Sequence, residues 1–298
     1  MIFSIHFRLY GIGERSLSIA ALNPVPVDSG LHILCYAGSS PLESLIWNPA
    51  YAVSKEYHLG VSYEKLLLNM YNGSLLYLGK SPFGENTGMG AVVKYFNSRD
   101  ITMLDDDGEE SGNFSINNFK GSFVFGYKFQ SFYHMGFRFN FINEKIVGDT
   151  STGISFDIGS GFDTSIFKVQ KMTLGLTIIN MGSKMWDEDQ PFGIAGGILF
   201  EYPFSQSSSI EYGVGARWRS GMDYEAGPSL RYISKNRISD NKYFIFKTGV
   251  GYYFNSSVKE NGYLNGLKLG LFIETPWRIN IGYKLVFYPW GNGNQFYM

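Results

Sequence analysis

Residues 119–129 read Phe-Lys-Gly-Ser-Phe-Val-Phe-Gly-Tyr-Lys-Phe. Side chains alternate across a strand, so Phe119, Phe123, Phe125, Tyr127 and Phe129 share one face with Gly121. Lys120, Ser122, Gly126 and Lys128 share the other, where Val124 is the exception. The pattern returns through most of the chain. Met135, Phe137, Phe139 and Phe141 oppose His134, Gly136, Arg138 and Asn140. Ile210, Tyr212, Val214, Ala216 and Trp218 oppose Glu211, Gly213, Gly215, Arg217 and Arg219. A transmembrane β-barrel has this form, apolar outward to lipid and polar inward to the lumen.

Alternation alone also suits a soluble sandwich with its apolar face inward. Composition separates the two. Only 17% of the 298 residues are charged and 17% are aromatic, against about 25% charged in an ordinary soluble domain. The 36 glycines weaken strand interiors but suit crowded lumen positions and curved walls. Aromatics fall at strand ends, as at Trp218, Tyr224, Tyr232, Trp277 and Tyr288, where an interfacial girdle would lie. The net charge of −1 argues against nucleic acid as a partner. No apolar run approaches the roughly 20 residues of a membrane-spanning helix, whereas a barrel strand needs only about 9–11.

Turn formers break residues 1–55, notably Asn23-Pro24-Val25-Pro26, Ala37-Gly38-Ser39-Ser40-Pro41 and Trp47-Asn48-Pro49-Ala50. Strand candidates then recur every 15–20 residues or so, through a last strand near 277–288, and residues 99–104 or the N-terminal segment supply one more. The expected fold is all-β, an antiparallel up-and-down transmembrane barrel of about 14 strands after an irregular N-terminal segment. Residues 1–55 are expected to form the N-terminal segment, which the resemblance described below makes the hatch, 56–290 the barrel and 291–298 a C-terminal tail. Two polar linkers, 105–113 and 186–191, are expected as loops on one rim.

Catalysis is not expected. His6, His32, His58 and His134 have no zinc-type spacing, and no Gly-x-Ser-x-Gly elbow is evident. His134 reads as a lumen-facing polar residue, with a Ser or Asp across the wall as the catalytic alternative. The acidic run Asp105–Glu110 lacks an EF-hand's spacing and reads as a solvated loop. Gly11-Ile12-Gly13 lacks the third glycine of a phosphate cradle. No cofactor or metal is implied. His134, Arg138, Arg217, Arg219, Arg231 and Arg278 are the lumen-facing polar candidates. With Lys120 and Lys128 they form either an anion-attracting lumen or a network neutralised by Glu144, Asp157, Glu211 and Glu225, the second being the expectation.

At Asn48-Pro49-Ala50 the chain resembles the FadL-like outer-membrane proteins, and within them the PorV/PorQ group. Gly13-Glu14-Arg15-Ser16-Leu17 is similar to that group's entry segment. Ile154–Gly159 followed by Leu174–Gly182 is similar to its mid-barrel signature, an Asp-x-Gly strand and then an Asn-x-Gly turn. The resemblance implies an inward-folded hatch with Asn48, Pro49 and Ala50 at the plug, in the outer membrane of a diderm bacterium, surrounded by outer-membrane lipid. It implies passage of hydrophobic small molecules past the plug. The alternatives are a type IX-like secretion component that binds secretion-machinery proteins, or a structural barrel without cargo. Met1–Leu9 does not read as a secretory signal, so an export signal is expected outside the given sequence.

Overall fold

The structure is a computed structural model. It describes residues 34–37, 41–65, 70–104, 110–146, 148–166, 170–187, 189–220, 224–239, 242–252, 254–255, 267–274, 280–288 and 291–297. Three short helical turns come first, Leu34–Ala37, Pro41–Ser44 and Pro49–Tyr51. The strands follow: β1 His58–Lys65, β2 Met70–Lys80, β3 Thr87–Leu104, β4 Glu110–Lys128 and β5 Tyr133–Ile146. Next are β6 Asp149–Ile166, β7 Gln170–Gly182, β8 Gly193–Ser205, β9 Ser208–Arg219 and β10 Glu225–Ser239. The last are β11 Lys242–Tyr252, β12 Phe254–Asn255, β13 Leu267–Glu274, β14 Asn280–Tyr288 and β15 Gly291–Tyr297.

Each strand pairs antiparallel with its sequence neighbour, in an up-and-down order. The two-residue β12 continues β11 along β10, so the two form one stave. β11 pairs with β10 on one side and β13 on the other. β15 pairs with both β14 and β1. The ladder therefore returns on itself, giving a ring of fourteen staves among the described residues. Closure leaves no unpaired edge, which is what allows a sheet to cross hydrocarbon. Among the described residues no helix is long and apolar enough to cross a membrane.

The burial pattern is inverted relative to a soluble sheet. Apolar outward positions are exposed, including Phe137 at 44%, Val214 at 50% and Trp218 at 48%. The opposite face is polar and buried: Asn140, Ser155, Asp157 and Thr177 are each at 0%. Such a wall needs an apolar solvent outside, which makes the barrel transmembrane.

Three details differ from the sequence expectations. Gly291–Tyr297, read as a tail, is strand β15 and closes the ring. Its Gly and Asn residues resemble a linker, yet its backbone satisfies the edges of both β14 and β1. Residues 99–104 extend β3, and Ser111-Gly112-Asn113, read as part of a polar linker, belong to β4; residues 105–109 lie outside the described set. The Asn-x-Gly at 180–182 is within β7, not a turn. The β6–β7 register shifts between Phe156 and Ile158. Asn180 sits there at φ 57°, a conformation Asn tolerates better than most residues. Its amide donates to Asp157 Oδ1 at 2.6 Å, which holds the bulge.

Candidate functional site

The described part of the N-terminal segment lies inside the barrel, with Asn48-Pro49-Ala50 at its centre. Asn48 is extended (φ −141°, ψ 103°) and caps the Pro49–Tyr51 turn, its Oδ1 accepting from the Ala50 amide. Pro at the first helical position suits this geometry, because its φ is preset and its missing N–H would have no partner there. Asn48 Nδ2 then donates to Tyr36 O at 2.7 Å and to Ser160 O at 3.0 Å. One buried amide thus joins two turns of the plug to each other and to β6.

Glycines make room for this backbone. Gly88, Gly126, Gly136 and Gly159 are direct cross-strand neighbours on β3 to β6. A Cβ at Gly136 would fall on the Pro49 carbonyl, at Gly159 on Asn48 Oδ1, and at Gly88 on the Ala52 carbonyl. The row is a trough in the inner wall, shaped to a main chain that approaches closer than any side chain permits. A second row runs through Gly161, Gly175, Gly197, Gly215 and Gly227 on β6 to β10. There Gly161 faces the Tyr51 ring and Gly175 the Tyr36 carbonyl, while Tyr51 OH donates to Leu174 O at 2.6 Å.

Apolar contacts complete the seat. Leu42, Leu45, Ile46 and Trp47 pack against Leu76, Leu78, Val92 and Val124 of the wall. Val124, the apparent exception to the alternation, keeps its expected direction and meets an apolar plug rather than water. The inward leucines of β2 have the same explanation.

Arg138 fastens wall to plug. It pairs with Asp157, its direct neighbour across β5 and β6, and also donates to the plug carbonyls of Leu45, at 2.7 Å, and Ile46. Asp157 additionally accepts from Asn140 at 3.1 Å. Arg217 pairs with Glu225 at 2.5 Å, and Arg231 with Glu211, again directly across a ladder. Arg219 is buried and faces the lumen beside Arg217. Arg138, Arg217 and Arg231 are each neutralised by a wall carboxylate in this way. Arg278 lies outside the described residues. His134 is buried, 3.1 Å from Asp163, with its ring centroid 4.8 Å from that of Tyr51. It is a packing and hydrogen-bonding contact at the plug's edge, and no Ser bonds to it among the described residues.

Between β7 and β8, Met185 and Gln190 turn inward while Asp187 and Asp189 stay exposed. Met185 packs with Phe96, Ile116 and Ile142. Trp186 Nε1 donates to Glu144 at 3.3 Å, and Gln190 Nε2 to the carbonyls of Ile154, at 3.1 Å, and Ser183, at 2.9 Å. Between plug and wall lies a cavity of about 50 Å³, lined by Trp47, Lys94, Lys120, Arg138, Arg217 and Arg219 among others. On the outer wall a dent of about 430 Å³ lies over β6 to β9, where Ser160, Gly196 and Ala216 are small and Phe162, Leu176 and Val214 form its sides. Gly161 and Gly175 belong both to this dent and to the plug seat, so the wall there is one backbone thick.

The alternating pattern placed His134 and the described arginines on the lumen face. It did not reveal their carboxylate partners or the glycine rows, because both depend on ladder register. A signal was present: lumen-phase glycines recur at one level of each hairpin, at Gly126 and Gly136 and at Gly215 and Gly227.

No protein-family model matches the chain, and no curated protein matches it. Among solved structures it is similar to the Pseudomonas putida toluene transporter TodX, with a TM-score of 0.56 at 8% identity over 93% of this chain and 98% of that one. It is similar to a ΔS2 mutant of the TodX monoaromatic hydrocarbon channel, with a TM-score of 0.52 at 7% identity over 86% and 91%. A Pseudomonas aeruginosa FadL homologue aligns over 92% and 96% at 7% identity with a TM-score of 0.42. At such identities the TodX likeness establishes the fold.

Proposed function

We propose that this chain is an outer-membrane channel that passes hydrophobic small molecules around a seated plug. The observation that carries the reading is the seat itself. A glycine trough, a polar anchor at Asn48 and a latch at Arg138 hold a separate piece of main chain against the wall. A purely structural barrel fills its lumen with wall side chains and needs no such seat. The likeness to a toluene transporter and a monoaromatic hydrocarbon channel over nearly their whole lengths points to the same cargo class. The wall at Gly161 and Gly175 is one backbone thick between plug and outer dent, which offers an apolar molecule a short path from lumen to lipid. Polar solutes would meet the plug instead.

The PorV/PorQ-type secretion reading draws no support from these structures. Native mass spectrometry of the protein gently extracted from its own membrane tests the proposal. A co-purifying lipophilic molecule is expected. A protein bound in fixed ratio, with no lipophile, would count against it.

A further inference from the structure

We infer that the chamber between the plug and the inner wall of β3, β4, β5 and β9 is a binding site for a small inorganic monoanion, of the size of chloride or nitrate. Lys94 and Lys120 are direct cross-strand partners on β3 and β4, both on the lumen face, at 7% and 8% exposure. Like charges placed directly opposite destabilise a ladder, and a buried charge demands compensation. Lys120 is more than nine-tenths buried, lines the chamber, and makes no hydrogen bond among the described residues. The compensating charge it feels is Asp157, whose carboxylate is already bonded by Arg138, Asn140 and the Asn180 amide. Glu225 and Glu211 are likewise engaged, by Arg217 and Arg231.

The shape selects the ligand. Cationic side chains of β3, β4, β5 and β9 converge on one chamber whose other side is the apolar Leu45, Ile46 and Trp47 of the plug. About 50 Å³ holds a few water-sized groups at most, since each takes roughly 10–15 Å³ on this measure. A monatomic or small planar anion fits; an aromatic ring or an alkyl chain does not. The anion would neutralise Lys120 and brace the wall directly behind the plug. The site is separate from the proposed hydrophobic path at Gly161 and Gly175, so it stands or falls independently of it.

The test uses the full chain in a non-ionic detergent. The melting temperature is followed as potassium gluconate is replaced by potassium chloride, bromide or nitrate at constant ionic strength. A saturable rise is expected, and Lys120→Met should abolish it or raise its midpoint at least tenfold. Lys55→Met, at an exposed ion pair with Glu85, should retain it. Crystals grown in bromide should show anomalous density at hydrogen-bonding distance from Lys120 Nζ, a readout that needs no variant to fold. Equal melting temperatures in all salts, an unchanged midpoint in Lys120→Met, or no bromide at Lys120 would overturn the proposal. A response to dodecanoate but to none of the inorganic ions would assign the charge to an amphiphile headgroup, and overturn it too.

Discussion

Arg138 concentrates the logic of the molecule in one side chain. A guanidinium offers five donors in a fixed fork, and here they serve a wall carboxylate and two plug carbonyls at once. Truncating one partner of a buried pair leaves the other charge uncompensated, at a cost of about 3–5 kcal/mol. Arg138→Met should therefore destabilise the barrel by roughly that amount in refolding titrations, and the double variant with Asp157→Asn should recover part of the loss. A double variant no better than Arg138→Met would show that the plug contacts, not the buried carboxylate, dominate. Gly136 tests the seat. Gly136→Ala puts a methyl group on the Pro49 carbonyl, an overpacking that costs about 1–3 kcal/mol. It should raise ion conductance in planar bilayers by unseating the plug. Gly121→Ala, whose added carbon would meet only the Phe119 ring at 3.5 Å, should leave conductance unchanged. Residue-level legibility had a definite limit. Alternation assigned Arg138, Arg217 and Arg231 to the lumen from sequence. Their partners needed register, which a single strand's pattern does not contain.

The strands were the most legible elements, because their two faces meet solvents of opposite character. The count of about fourteen matched the fourteen staves, but one member was misplaced. β15 was hidden because Gly291-Asn292-Gly293-Asn294 has linker composition and no alternating apolar face. Ring closure, a property of the whole sheet, requires a strand there. Deleting residues 291–297 should open the ring between β14 and β1. The expected readout is loss of the compact, heat-modifiable band in semi-native electrophoresis; a retained band would mean β14 can pair with β1 directly. The outward faces make their own prediction. Phe137→Arg should cost about 2–4 kcal/mol, the range for a cation at the bilayer midplane. Phe83→Arg, in the connection between β2 and β3, should cost about 0–1 kcal/mol, the range near the interface. Equal costs in refolding into lipid would contradict the lipid-facing assignment. The inward packing of Met185 and Gln190 was not legible, because they flank an acidic stretch whose described carboxylates, Asp187 and Asp189, are exposed as a solvated loop requires.

As a whole, the molecule is a closed barrel whose lumen is filled by an N-terminal plug and by the inward Met185 and Gln190 of the connection between β7 and β8. Both fillings contact the wall through few, identifiable groups. That economy suits a plug that shifts against a rigid frame, because closed ladders resist local opening while the plug's polar anchors are a few hydrogen bonds, of about 0.5–1.5 kcal/mol each for Asn48 and about 1.5–3 kcal/mol for the charged Arg138. The resemblance at Asn48-Pro49-Ala50 indicated where the plug would be; the glycine trough and the Arg138 latch indicate how it is held. The most direct test of the account is uptake of a radiolabelled monoaromatic hydrocarbon by cells bearing this protein in an intact outer membrane, against cells with an empty vector. A plain bilayer is unsuitable because it passes such compounds unaided. Faster hydrocarbon uptake, with no change for a sugar of similar size, is the predicted result. Equal hydrocarbon uptake with and without the protein would contradict the account.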